Sequence, residues 1–261
     1  METSYCENNK MEIDLKTCNI LGVNINVTNM RETIKFIISN IQNLKGNYIC
    51  ISNVHTTVMA YENEHYKSIQ NFGVLALPDG GPLSVVSKIR GFNEAERVTG
   101  PDLMGEIFKI SKEKGYKHYF YGSTEETLEN LIKNIKNKFP NLEVVGAFSP
   151  PFRELNDEED KVIIKEINSR NADFVWVGLG APKQEEWMYK HKNKVNSVMI
   201  GVGAGFDYYA ERIKRAPIWM QKHNLEWLFR LAQDPKRLFK RYLVTNSKFI
   251  YLNIKHLGFR K

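Results

Sequence analysis

Ala172-Asp173-Phe174-Val175-Trp176-Val177-Gly178-Leu179-Gly180-Ala181-Pro182-Lys183-Gln184-Glu185 is the stretch that decides the fold. Ala172 to Val177 form a largely apolar run of strand length, without alternation. That pattern reads as a strand covered on both faces. Gly178 and Gly180 break the run, and a helix is expected from Lys183, after Pro182. A buried strand, a glycine turn and a helix make the unit from which parallel α/β sheets are built. The unit recurs outward in both directions. Residues 198–202 read as the last strand, closed by Gly203-Ala204-Gly205-Phe206-Asp207. Residues 142–148, 116–121, 74–77 and 47–52 read as earlier strands. Residues 19–27 read as a first strand. Helices are expected after Asn29 (to about Leu44), from Pro101 to about Lys114, from Thr124 to Phe139, and from Asn156 to Arg170. The fold class is therefore α/β, a mostly parallel sheet flanked by helices.

The 261 residues suffice for one large α/β domain with an appendage. The charge divides the chain after Asp207. Residues 208–261 hold 13 Lys and Arg against Glu211, Glu226 and Asp234, a net +10, while residues 1–207 carry −3. The division predicts a catalytic domain over 1–207 and a basic helical appendage over 208–261. Such asymmetry points to an anionic partner, a lipid surface or a nucleic acid. Two helices are expected in the tail, split at Asp234-Pro235. Arg237, Arg241 and Lys248 form one stripe, joined by Arg230. Leu231, Leu238, Tyr242 and Phe249 form an adjoining apolar stripe, with Trp219 and Trp227 as interfacial anchors. This pattern predicts membrane binding through Arg230, Arg237 and Arg241. The three cysteines, Cys6, Cys18 and Cys50, form no CxxC pair, which excludes a disulfide framework and a zinc site and fits a reducing compartment. Residues 1–10 are polar and do not read as a secretory signal. No apolar stretch is long enough to span a bilayer.

In a parallel sheet, ligands bind beyond the carboxyl ends of the strands. The residues there are small or polar: Asn53, His55, Asp79-Gly80-Gly81, Gly122-Ser123, Ser149, and the glycines at 178–180 and 201–205. Backbone N–H groups at such turns approach phosphate closely, which favours a phosphorylated or nucleotide ligand. No GxGxxG follows the first strand and no GxxxxGK[ST] is present, which disfavours nicotinamide oxidoreductases and P-loop enzymes. No DxD triplet is available to hold a diphosphate through a metal. A protein cation must then meet the phosphates, and the arginine fork suits that task. A nucleic-acid-binding protein using the basic tail is the competing class, but no RNP, KH or zinc signature accompanies the charge.

Leu77-Pro78-Asp79-Gly80, Gly178 to Glu185, Gly201 to Asp207, Arg215-Ala216-Pro217, and Leu225-Glu226-Trp227 with Arg230-Leu231 together resemble the WecG/TagA/CpsF glycosyltransferase family, glycosyltransferase family 26. The resemblance runs from about residue 19 to about residue 245. It implies a Rossmann-like fold, no metal or other cofactor, and inversion at the sugar carbon. It further implies transfer of N-acetylmannosamine from a UDP donor to N-acetylglucosamine on a polyprenyl diphosphate, in teichoic acid or other surface polysaccharide assembly; other members use other sugars, including glucose. The enzyme would then be cytoplasmic and peripheral on the inner face of the membrane, with its oligomeric state open. One departure is visible: Ile51-Ser52-Asn53 stands where relatives often carry Thr-x-Asn, so Ser52 is displaced by one. Residues 98–102 suggest an exopolysaccharide branch.

The resemblance also assigns roles. Asp79 becomes the general base that takes a proton from the acceptor hydroxyl, although on the residues alone it could cap the following helix. Arg97 meets the diphosphate leaving group, although alone it reads as a solvated arginine. Asn53, Gly122, Ser123, Gln184, Asp207 and Arg215 are expected to contact substrate, Asp207 at the end of the last strand segment. His55 is the rival base.

Overall fold

The computed structural model describes residues 15–257. The expectation for residues 1–10 lies outside the described residues.

Residues 19–27 do not form one strand. They form a hairpin, β1 (Thr17–Ile20) and β2 (Val23–Asn26), paired antiparallel apart from the main sheet. Leu21 and Gly22 both take positive φ, 52° and 91°, which is the two-residue turn that matches strand twist. A polar-apolar alternation shows that a strand exists but not that it folds back. Asn29 caps α1 (Met30–Ser39), accepting from Glu32 N as expected. The helix then stops short of the expected end. Asn40 interrupts it, donating from N and Nδ2 to Phe36 O, and α2 (Ile41–Leu44) follows.

The expected strands then appear in order. β3 (Tyr48–Ser52) leads to α3 (Val54–Glu62) and α4 (Glu64–Phe72). β4 (Leu75–Pro78) precedes α5 (Gly81–Ile89) and α6 (Gly100–Lys114), the latter capped by Thr99. β5 (Lys117–Gly122) and α7 (Glu125–Lys138) follow, then β6 (Glu143–Phe148) and α8 (Asp157–Ser169). β7 (Phe174–Gly178), α9 (Lys183–Lys190), β8 (Val198–Gly201) and α10 (Gly205–Tyr209) complete the body.

Six strands form one parallel sheet in the order β4-β3-β8-β7-β5-β6. β3, β4 and β8 are buried along their whole length and β5 and β7 along nearly all of theirs, as unbroken apolar runs require, whereas the edge strand β6 is only partly covered. Ile49, Ile51, Phe120, Phe174, Trp176 and Ile200 belong to one core, and their neighbours Tyr48, Cys50, Tyr119, Tyr121, Val175 and Met199 belong to the core on the opposite face. Cys18 and Cys50 are buried and free. The hairpin lies beside β4, where Asn26 Oδ1 accepts from Ala76 N at 2.7 Å.

The tail runs back over this body as α11 (Ile218–Lys222), α12 (Glu226–Gln233) and α13 (Pro235–Leu257), with the break at Asp234-Pro235 as expected. α13 packs against α3 and sinks Leu238, Phe249 and Leu252; the last two join the hairpin core. Each such side chain contributes about 1.5–3 kcal/mol of burial. The apolar stripe read in the sequence therefore faces protein at Leu238 and Phe249. A different stripe, Phe239, Leu243, Ile250 and Ile254, is more than half exposed. Among the described residues no helix is long and apolar enough to cross a membrane.

Candidate active site

The carboxyl ends of β3 and β4 form one end of the crevice. Asp79 follows β4 directly, and its N–H donates to Ser52 O at 2.7 Å, which ties the two strand ends together. Gly80 takes φ 85° and α5 starts at Gly81. A Cβ at Gly81 would stand 2.2 Å from Cγ of Asn224, which lies between α11 and α12. The second glycine of Asp79-Gly80-Gly81 thus admits the tail, and Asp79 lies beneath it.

Three arginines and a glutamate surround Asp79. Burial, with the nearby charge of Glu226, pushes its carboxyl up to about 6; Arg230, Arg97 and Arg215 oppose the rise. Arg97 Nη1 donates to Glu226 Oε2 at 3.0 Å and Nη2 to Gln221 Oε1 at 3.2 Å. Arg215 grips Asp102 with both terminal nitrogens, at 3.0 and 3.2 Å, and also donates to Gln221 Oε1. Its Nε lies 3.2 Å from Glu226 Oε1, an ion-pair contact. Arg215 and Arg230 both stand over the Tyr208 ring, at 5.2 and 5.7 Å from its centroid. The hydroxyl of Tyr208 is buried without a partner. Arg230 is held by no carboxylate among the described residues, so it is the free cation beside Asp79.

His55 lies on the first turn of α3, whose cap is Asn53. The Asn53 side-chain oxygen accepts from His55 N and Thr56 N, which commits that oxygen to the helix. Burial and the nearby Arg241 hold the His55 ring below its usual range, so it is neutral at pH 7. Its Nδ1 is buried without a partner, as is Nε of Arg241. Ser52 is fully buried and donates to Gln70 Oε1 at 2.6 Å, so its hydroxyl is spent inside the body.

The remaining expected site residues lie elsewhere along the crevice. Gln184 is almost fully buried. Its Oε1 accepts from Gly203 N at 3.0 Å and its Nε2 donates to Glu185 Oε1 at 2.8 Å, so it braces the loop after β8. Gly122 ends β5 and Ser123 follows it, four strand positions from β4, or about 19 Å at the usual strand spacing. A Cβ at Gly122 would meet the backbone carbon of Gly178 at 2.7 Å, so strand packing requires this glycine. Asp207 does not end a strand. β8 stops at Gly201, and Asp207 sits within α10, one residue before Tyr208.

Arg230 and Arg241 were expected on a membrane face, but both are half-buried and turned toward Asp79 and His55. Arg237 alone of the three is exposed, and it pairs with Asp234. Helical periodicity groups residues on a stripe without saying which stripe meets protein. Glu226, Gln221 and Tyr208 carried no role in the sequence reading. One signal was present: Glu226 and Arg230 are four apart on a helix, hence on one face.

An acid beneath a ring of arginines at the carboxyl end of a parallel sheet suits transfer chemistry on an anionic substrate. The whole crevice, tail included, matches the Glycosyl transferase WecG/TagA/CpsF family over residues 18–261. The chain belongs to this family. A relative from Staphylococcus aureus is 31% identical over 222 residues, 84% of this chain and 85% of the relative. One from Bacillus spizizenii is 29% identical over 213 residues, 81% of this chain and 80% of the relative. Both relatives are named N-acetylglucosaminyldiphosphoundecaprenol N-acetyl-beta-D-mannosaminyltransferase. A cleft of about 530 Å³ opens on the far side of the Asp102–Arg215 pair, walled by α6, α7 and Tyr209.

Proposed function

We propose that this enzyme transfers N-acetylmannosamine, with inversion, from a UDP donor to N-acetylglucosamine carried on a polyprenyl diphosphate, as a step in teichoic acid or related surface polysaccharide synthesis. The observation that carries the reading is Asp79, a carboxyl raised to about 6 and ringed by Arg97, Arg215 and Arg230. A base near the working pH accepts a proton well and still releases it. The acceptor hydroxyl gives its proton to Asp79 and its oxygen attacks the anomeric carbon. The bond to the diphosphate breaks on the opposite face, and UDP leaves with the electron pair. Fixed guanidinium groups stabilise the charge that develops there, and Arg230, free of carboxylates, is the best placed. Three arginines supply the charge that a metal would otherwise bring, so the reaction is metal-independent. The names of the two relatives support the acceptor and the sugar, in preference to the exopolysaccharide branch suggested by residues 98–102.

The acceptor is a lipid, so the enzyme works at the membrane on its cytoplasmic face. The exposed stripe of Phe239, Leu243, Ile250 and Ile254 on α13, flanked by Lys236 and Lys240, suits the interface of an anionic bilayer. His55 offers a second reading of the base, favoured by its neutral ring and unpartnered Nδ1.

The test is product mass from a panel of UDP-sugars with a lipid-diphosphate N-acetylglucosamine acceptor, run with excess EDTA. A single added N-acetylhexosamine, formed only from UDP-N-acetylmannosamine and unaffected by EDTA, is expected. Loss in EDTA that Mg²⁺ restores refutes metal independence. Thermal stabilisation by NAD or an oligonucleotide instead of UDP refutes the donor class.

A further inference from the structure

Two of the three arginines assigned to the donor, Arg97 and Arg215, are already occupied. Both terminal nitrogens of Arg97 hold protein acceptors, Glu226 and Gln221. Arg215 is held by Asp102, Gln221 and Glu226. The two oxygens of Glu226 are divided between the two arginines, Oε2 on Arg97 and Oε1 on Arg215. The carboxylate is largely shielded, with its side chain 17% exposed. It comes from the tail, whereas Arg97 comes from the body. A two-oxygen anion that spans two guanidinium groups beside the base, hydrogen-bonded to Arg97 and ion-paired with Arg215, stands where a phosphate group would be met.

We propose that Glu226 is a resident anion: in the donor-free enzyme its carboxylate holds the place between Arg97 and Arg215 that the donor's diphosphate takes, and donor binding displaces it. The inference rests on the donor reading above. It gives the exchange two consequences. Negative charge stays beside Asp79 whether Glu226 or diphosphate is present, so the base keeps its raised affinity for a proton through the cycle. After transfer, Glu226 competes with UDP for the same arginines, which weakens product binding and hastens release. Displacing a paired carboxylate costs the ligand part of its own charge-assisted contacts, so removing the competitor strengthens binding by about tenfold.

Glu226→Gln keeps the shape and removes the charge. Calorimetry on the full chain should find UDP and inorganic pyrophosphate each bound about tenfold more tightly than by wild type. Uridine, which lacks phosphate, should bind unchanged. The acid limb of kcat/KM should also move to lower pH, because Asp79 loses a negative neighbour, a shift that looser packing alone would not produce. Equal or weaker binding of pyrophosphate by a folded Glu226→Gln protein overturns the proposal. A structure of the wild-type UDP complex gives a measurement free of any variant. Glu226 is expected beyond 4 Å from Arg97 with phosphate oxygens in its place; Glu226 still bridging both arginines over bound UDP overturns the exchange. Should wild type not bind UDP at all, the donor reading falls, and the pyrophosphate comparison still decides whether Glu226 excludes an anion.

Discussion

The body and the tail of this protein use charge in opposite ways. The body, residues 1–207, is slightly acidic and places a single carboxylate, Asp79, at a strand end where burial raises its proton affinity. The tail carries +10 and spends its cations in two directions. Arg215, Arg230 and Arg241 turn inward over the site, while Lys236, Arg237 and Lys240 stay outside. The same difference appears in apolar residues. The body hides its central strands on both faces, whereas α13 buries Leu238, Phe249 and Leu252 and exposes Phe239, Leu243, Ile250 and Ile254. The body supplies Asp79, and the tail both places arginines beside it and leaves an apolar stripe outside.

The sharpest break of this comparison lies in the body. Asp79→Asn should lower turnover by about 10²–10⁴-fold while UDP binding persists. A folded variant with near wild-type turnover would move the base to His55. The tail's inward face comes next. Arg230→Gln should lower kcat by about 10²–10³-fold with a short soluble acceptor as well as with a long-chain one, because the charge acts on the leaving group. If only the long-chain reaction slows, Arg230 serves the membrane after all. The outward face should behave in the reverse manner. Replacing Phe239, Leu243 and Ile250 with Gln should slow the long-chain reaction by about tenfold and remove binding to anionic vesicles, with the soluble reaction unchanged. Equal loss in both reactions would make this stripe part of the site.

The smallest expected effect is on stability. The Asp79 pKa rises from 3.8 to about 6 on folding. The folded protein therefore holds this proton in a window where the unfolded chain has released it. The stabilisation is present at about pH 4 and is lost as pH rises through about 6. At pH 7 the ionised carboxylate costs the fold about 1–2 kcal/mol, discounted for its partial exposure. Asp79→Asn should thus raise the melting temperature by a few degrees at pH 7 and by less at pH 4. A lowered melting temperature at pH 7 would mean that the arginines depend on this charge. In wild type, kcat/KM should fall below about pH 6 as Asp79 protonates.

Much of the body was legible because its signals are local. Apolar runs such as residues 172–177 read as strands covered on both faces, and Asn29, Thr124 and Asn156 cap the helices expected of them. Asp79 and the glycines after it stood out because a carboxylate at a strand end is a positional fact. The hairpin at Leu21-Gly22 was missed because its polar-apolar alternation reads through the turn.

The sequence by itself determined the order of strands and helices, the acidic body and basic tail, and the residue types gathered at strand ends. Those are properties of neighbours in the chain, set by periodicity and backbone stereochemistry. Only the tertiary structure decided which sides of α12 and α13 meet the body, and hence that Arg230 on α12 and Arg241 on α13 face the site. It alone showed that Gln184 and Asn53 spend their amides on the loop after β8 and the cap of α3. It alone brought Glu226 to Arg97, 129 positions away. The direction of a helix stripe and the partner of a charge depend on which surfaces bury the most apolar area across the whole chain, and no local pattern records that balance.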